Sequence, residues 1–148
     1  MKNFRSVTIV ILSLLLFSCN KGDEYFHKLY QETDTAYYGS NRLNARLSLL
    51  KFIQKIEECQ SEIEERKIYN YNVTLGDAWL KLANIYESEG GGNEAKIAIR
   101  KAVYYFNKSN LKTFEKIAET QKEEYLWNML KKIEQRNLPE RKKLDVKK

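Results

Sequence analysis

Proline, glycine, histidine and cysteine are all scarce in this sequence of 148 residues. It contains one proline, six glycines, one histidine and two cysteines. Because proline and glycine interrupt helices, a chain with few of them and with abundant Leu, Ile, Lys and Glu favours helical structure. No stretch alternates apolar and polar residues for long enough to predict a sheet. We therefore expect an all-α fold.

The same scarcity argues against catalysis. With a single histidine, His27, and with neither an HExxH sequence nor paired cysteines, no metal site is expected. The glycines at 90–92 lack the lysine and the preceding strand of a phosphate-binding loop. Carboxylate pairs such as Glu57 and Glu58 are more often part of a solvated helix face than an acid/base pair. We predict no enzyme, no catalytic residue, no metal, no cofactor and no small-molecule substrate.

The first 19 residues have the pattern of a secretory signal. Lys2 and Arg5 precede an apolar run over residues 7–17, which is short for a transmembrane span. The run ends in LFSC at residues 16–19, which resembles the lipobox of bacterial lipoproteins. The resemblance implies that Cys19 becomes the lipidated first residue of the mature protein, so that acyl chains such as palmitate anchor it to a membrane. The alternative is an ordinary signal peptide with an incidental cysteine.

This pattern divides the chain into four parts. Residues 1–18 are the predicted signal peptide, 19–23 the lipidated cysteine and tether, 24–137 a helical domain, and 138–148 a basic tail expected to be disordered. The mature chain carries 24 basic residues against 20 acidic ones, because the signal holds two of the 26 basic residues. The surplus is mild, and an exported protein is not expected to bind nucleic acid.

Apolar spacing and capping residues predict about five helices packed as a small antiparallel array. They cover residues 24–38, 41–67, 74 to the glycines at 90–92, 93–107 and about 109–136, with a polar and aromatic loop at 68–74 before the third. Asn41 and Asn93 are the expected caps of the second and fourth helices. The buried stripe expected in the second helix comprises Leu43, Leu47, Leu50, Ile53, Ile56 and Ile63.

The third and fourth predicted helices resemble a tetratricopeptide repeat, whose order of residues is Trp, Leu-Gly, Tyr, Ala, an aromatic and Pro. The matching positions are Trp79, Leu82, Ala83, Tyr86, Gly90, Ala95, Ile99, Ala102 and Asn107. Ala83, Ile99 and Asn107 depart from the usual glycine, aromatic and proline. An unrelated antiparallel helix pair is the alternative. Ala45 and Leu49 in the second helix repeat the spacing of Ala95 and Ile99, which is a weak sign of another repeat.

The resemblance implies a concave groove that binds a protein or peptide partner. Its lining residues would lie on the face of the third helix opposite its packing stripe, which comprises Trp79, Leu82, Ala83 and Tyr86. They would be Asp77, Leu80, Lys81, Asn84, Glu87 and Ser88. Asn84 stands where peptide-binding members of the family hold a backbone, whereas Leu80 replaces the lysine of members that bind a terminal carboxylate. The alternative is that these six residues are ordinary exposed residues.

Three other features have two interpretations each. Cys59 is the single thiol left if Cys19 is lipidated, and we expect it to be buried rather than reactive. The basic tail at 141–148 is expected either to contact anionic lipid headgroups or to be simply solvated. Tyrosines at 69, 71, 104 and 105 form a recognition patch or belong to the core.

The expected function is that of a membrane-anchored cell-envelope lipoprotein, an adaptor that binds another envelope protein through the groove. The alternative is a surface-exposed lipoprotein that binds a host or other extracellular ligand. The Lys, Asn and Ile content and the lipobox resemble those of spirochaete lipoproteins, which favours this alternative. Asn20 after the lipidated cysteine favours the outer membrane over the inner one, and the sequence leaves the periplasmic and surface faces open.

Overall fold

The computed structural model describes residues 22–61 and 71–132. Within them the chain forms six helices and no strand, so the all-α prediction is confirmed. The helices are α1 (Asp23–Tyr38), α2 (Arg42–Glu58), α3 (Tyr71–Ser88), α4 (Gly92–Lys108), the four-residue α5 (Lys112–Glu115) and α6 (122–132). The signal peptide, Cys19 and the basic tail lie outside the described residues.

Two helical hairpins make up most of the fold: α1 packs on α2, and α3 packs on α4. Gly90 turns the second hairpin with a φ of 82°, a left-handed conformation that glycine adopts at little cost. Asn41 caps α2 as predicted, because its side chain accepts a hydrogen bond from the Asn44 amide at 2.9 Å. Asn93 does not cap α4, which begins one residue earlier, at Gly92.

The second helices of the two hairpins bury equivalent positions 50 residues apart. In α2 and α4 the buried pairs are Ala45 with Ala95, Leu49 with Ile99, Phe52 with Ala102, Ile53 with Val103 and Ile56 with Phe106. Each series advances in steps of four, three, one and three residues, which places it on one helix face. The two hairpins therefore share one packing pattern, which the spacing of Ala45 and Leu49 indicated in the sequence.

The stripe predicted for α2 is wrong in its first half. Leu43, Leu47 and Leu50 are 54%, 56% and 36% exposed, whereas Ala45 and Leu49 are completely buried. Both rows of residues have helical spacing in this leucine-rich segment, so periodicity alone does not choose between them. The row with the small Ala45 faces the partner helices. Three leucines are left on the surface.

Helix α3 lies at the centre of the array, in contact with both α2 and α4. It starts at Tyr71, so the end of the predicted 68–74 loop is helical instead. The ring of Tyr71 packs edge-on against Phe26 of α1, with the ring centres 5.4 Å apart. Because this contact buries Tyr71, it draws the start of the helix into the core.

The helix predicted at 109–136 is broken. Asn110 has a positive φ of 55°, and Ala118 is extended with a ψ of 139° between α5 and the 3₁₀ turn at Glu119–Gln121. Phe114 and Leu126 are nevertheless buried, so the broken segment still covers one end of the core. Across the described ranges, 22–61 and 71–132, no helix is both long and apolar enough to cross a bilayer.

Candidate functional site

The six residues predicted to line a groove do not lie together on an open surface. Leu80, Lys81 and Asn84 are 1%, 8% and 3% exposed, which contradicts the expectation that they face solvent. Glu87 and Ser88 are exposed, and the exposure of Asp77 is intermediate. For Lys81 and Asn84 the reason is that α1 covers this face of α3, a contact that the spacing within α3 could not reveal.

A row of side-chain hydrogen bonds joins α1 to α3 along their lengths. From one end to the other, its pairs are Asp23 with Tyr71, Tyr30 with Asp77, Asp34 with Lys81, and Tyr37 with Asn84. The two members of each pair are 48, 47, 47 and 47 residues apart. A nearly constant separation over several turns means that α1 and α3 run parallel and side by side. We call these four pairs the polar ladder.

Lys81 is at the centre of the polar ladder. Its ammonium group donates a hydrogen bond to Asp34, lies 2.6 Å from Asp77 Oδ2 and lies 3.3 Å from the hydroxyl of Tyr30. The rings of Tyr30, Tyr37 and Tyr38 surround the same nitrogen, with ring centres 5.2, 5.5 and 5.8 Å away. Such rings attract a cation through their negative faces. Two carboxylates and three rings therefore hold one buried ammonium group.

The protonation of this cluster is stable near neutral pH. Burial alone lowers the pKa of Lys81, but the charge of Asp77, the interaction with Tyr30 and the hydrogen bonds to Asp34 and Asp77 raise it above the ordinary value. Burial and the charge of Asp77 likewise raise the pKa of Tyr30. A lysine held protonated and a tyrosine held neutral are unsuited to act as base or nucleophile at pH 7. The geometry of the cluster is that of a structural clamp.

A cavity of about 280 Å³ lies beside the first turns of α1 and α3. Phenylalanine and tyrosine supply four of its eight lining residues, and the others are Asp23, Glu24, His27 and Thr74. The aromatic residues are Phe26, Tyr30, Phe52 and Tyr71. Asp23 accepts a hydrogen bond from Tyr71 at 2.8 Å, so this carboxylate belongs to the polar ladder as well as to the cavity wall.

The exposed part of the predicted groove is at the end of α3. Glu87 and Ser88 are exposed there, and the Ser88 hydroxyl donates a hydrogen bond to the Ile85 carbonyl at 2.7 Å. On α1, the residues Gln31, Thr35 and Tyr38 are exposed. They follow a helical spacing of four and three, so they share one face. We call these five exposed residues the α1 face.

Sequence reasoning missed the α1 half of the polar ladder. Tyr30, Asp34 and Tyr37 are spaced four and three residues apart, and so are Asp77, Lys81 and Asn84 on α3. The matched spacing was visible in the sequence as two sets of polar residues on helix faces. Only the packing of α1 on α3 shows that the two sets meet.

Cys59 is 1% exposed, as expected, but it is disulfide-bonded and not a thiol. Its partner lies outside the described residues. Within residues 22–61 and 71–132, no three His, Cys, Asp or Glu residues cluster in a way that could hold a metal ion. Comparisons with protein-family models, with curated proteins and with solved structures found no match.

Proposed function

We propose that this protein is a lipid-anchored component of the bacterial cell envelope whose helical array binds another envelope protein. The anchor rests on the sequence at residues 1–19, where a basic start and an apolar run lead to the lipobox-like LFSC. The outer membrane is the favoured site because of Asn20. Only a few residues then connect the helical array to the lipid anchor at Cys19.

The proposed binding role rests on the burial pattern that α2 and α4 share. Ala45 and Ala95 are both buried, and so are Leu49 and Ile99, at the same relative positions in their hairpins. Stacked hairpins of one design are the architecture of tetratricopeptide-like arrays, which present extended surfaces to protein partners. The sequence of α3 and α4 supports the same assignment through Trp79 and its following motif.

The binding surface that we propose differs from the groove expected from the motif. Lys81 and Asn84 are committed to the polar ladder and are not available to a partner unless α1 leaves. The α1 face, with Tyr38 at 39% exposure and Glu87 beside the hairpin turn, stays accessible. Tyrosine is favoured in protein interfaces. We therefore place the partner on the α1 face.

Site-directed cross-linking in intact cells tests this placement. A photoreactive residue at Tyr38 or Glu87 should capture a protein partner, whereas the same residue at the exposed Tyr125 of α6 should capture none. Capture from Asn84 but from neither α1-face position would instead mean that α1 detaches and that the motif's own groove is used. Equal capture from all positions would sink the proposal of a specific surface.

Metabolic labelling with palmitate tests the anchor. Labelled protein in the wild type and none in Cys19→Ser is the expected result. Cys19 is the only other cysteine of the sequence, so the disulfide of Cys59 and a thioether at the sulfur of Cys19 exclude one another within one chain. The proposed anchor therefore requires that the mature protein lack this disulfide. Peptide mass analysis without reduction distinguishes the two products. A Cys19–Cys59 disulfide in the mature protein would overturn the anchor.

Protease treatment of intact and lysed cells distinguishes the two settings of the proposed function. Protection until lysis places the array in the periplasm, where its partner is another envelope protein. Digestion of intact cells places it on the surface, and a host or other extracellular ligand then replaces the envelope partner.

A further inference from the structure

Charges of opposite sign concentrate in two layers of the described helices. One layer consists of α1 and α3, and the other consists of α2 and α4. Helix α1 carries four acidic residues and one lysine, and α3 carries two acidic residues and one lysine, so this layer has a net charge of −4. Helix α2 carries four basic and two acidic residues, and α4 carries four basic residues and one acidic residue, so this layer has a net charge of +5. A hydrogen bond from the Tyr105 hydroxyl to Glu57 at 2.6 Å joins α2 to α4.

Exposed apolar side chains concentrate on the same positive layer. Seven large apolar or aromatic residues of the described chain are exposed, and five of them lie on α2 and α4. The five are Leu43, Leu47, Leu50, Ile97 and Tyr104, with exposures between 36% and 58%. The leucines follow a spacing of four and three, and Ile97 and Tyr104 are seven residues apart, so each set follows one helix face.

Much of the positive charge on this layer stays available. Arg46, Lys55 and Arg100 pair with carboxylates at distances of 2.6 to 3.7 Å. No carboxylate among residues 22–61 and 71–132 pairs with Lys51 or Lys96, and both lysines are exposed. Leucine rows flanked by unpaired lysines are the composition of helices that rest on anionic membrane surfaces.

A groove of about 560 Å³ continues this surface between the end of α2 and the outer side of α4. Ile97 and Tyr104 supply apolar contact there, while Arg100 and Lys101 supply positive charge. Tyrosine and basic residues next to aliphatic ones match the boundary between headgroups and acyl chains. Glu57 also lines the groove, but its carboxylate accepts the hydrogen bond from Tyr105.

We propose that the layer of α2 and α4 is a docking surface for an anionic lipid bilayer. Its position near a membrane rests on the proposed anchor at Cys19. Four residue steps from Cys19 to Asp23 span at most about 14 Å, so the start of α1 in an anchored array lies within about that distance of the bilayer. The face with exposed leucines and positive charge is the one that an anionic surface attracts, and the α1 face then points towards a partner.

Vesicle binding by the unacylated protein tests this surface independently of the anchor. Residues 19–148, produced without the signal peptide, are not a substrate for acylation and retain every described residue. We expect this protein to sediment with vesicles of phosphatidylcholine and phosphatidylglycerol, and to bind phosphatidylcholine alone at least tenfold more weakly. Binding to the mixed vesicles should weaken as salt concentration rises.

Substitutions separate the apolar and charged parts of the surface. Leu43→Gln, Leu47→Gln and Leu50→Gln together should weaken binding at least about tenfold. Lys51→Gln and Lys96→Gln should each weaken it about fivefold on anionic vesicles. The matched control Tyr125→Gln, at an exposed aromatic residue of α6, should leave binding unchanged. Lys142→Gln with Lys143→Gln measures the contribution of the tail separately.

Several outcomes would overturn the proposal. One is no vesicle binding by the folded wild-type protein, and another is a loss confined to the tail variant. A third is a dimer in solution that the three leucine substitutions dissociate, which would mean that a second copy occupies the layer. Vesicle binding without palmitate labelling in cells would instead reject the anchor and leave the docking surface standing.

Discussion

The side-chain amide of Asn84 donates a hydrogen bond to the hydroxyl oxygen of Tyr37 at 2.7 Å, and both side chains are buried. This contact is made within the chain, between α3 and α1. It uses the side-chain amide of Asn84, which is therefore not free to bind a partner while α1 stays in place.

Removing this bond should destabilise the array. We expect Asn84→Ala to lower the free energy of unfolding by about 1–3 kcal/mol, because it removes a buried hydrogen bond and leaves a small cavity. Urea unfolding followed by circular dichroism measures the change. In a double-mutant cycle with Tyr37→Phe, the two losses should be less than additive. Additive losses would mean that the two residues do not act together.

Lys81→Met should destabilise the protein more than Asn84→Ala does. It leaves the carboxylates of Asp34 and Asp77 close together without their cation, and we expect a loss of about 2–4 kcal/mol, allowing for the partial exposure of both carboxylates. Urea unfolding at pH 7 measures it. The control Lys101→Met removes an exposed lysine from α4 and should change stability by less than about 0.5 kcal/mol.

Alkaline pH should weaken the fold through tyrosine ionisation. Burial, the hydrogen bond to Glu57 and the charges of Glu57 and Tyr104 raise the pKa of Tyr105, and burial and Asp77 raise that of Tyr30. A raised pKa in the folded state means that this contribution is complete below the unfolded-state value of about 10 and is lost as pH rises above it.

We therefore expect the free energy of unfolding to fall above about pH 10, and Tyr105→Phe should reduce that fall. Ultraviolet titration should show Tyr105 and Tyr30 ionising after the exposed tyrosines of the folded protein. An unchanged alkaline slope in Tyr105→Phe would contradict this assignment.

Gly76→Ala should destabilise the contact between α3 and α4. A Cβ atom at this position would lie 2.9 Å from the ring of Phe106, which is too close for the rigid ring to accommodate without moving. Overpacking of this kind costs about 1–3 kcal/mol and outweighs the helical preference of alanine. Thermal unfolding measures the loss. The matched control is Gly92→Ala, because no atom lies within 4 Å of a Cβ atom at that position. In this variant the thermal stability should stay the same or rise.

The sequence alone determined the fold class and the second hairpin. The scarcity of proline and glycine predicted helices, and Gly90 marked the turn that the structure has. The apolar residues that recur at helical spacing in α4, which are Ala95, Ile99, Ala102, Val103 and Phe106, are all buried. These features depend on contacts between residues close in the chain, which periodicity and local preferences report directly.

Only the tertiary structure decided which faces are open. Leu43 and Ala45 are two residues apart on one helix, and both belong to rows with helical spacing, yet Leu43 is exposed and Ala45 is buried. Lys81 was predicted at a surface and lies instead between Asp34 and Asp77, because α1 packs alongside α3 and pairs with residues 47 positions later in the chain. The sequence of a helix face does not show which distant element will cover that face. Burial between helices therefore depends on how the hairpins pack.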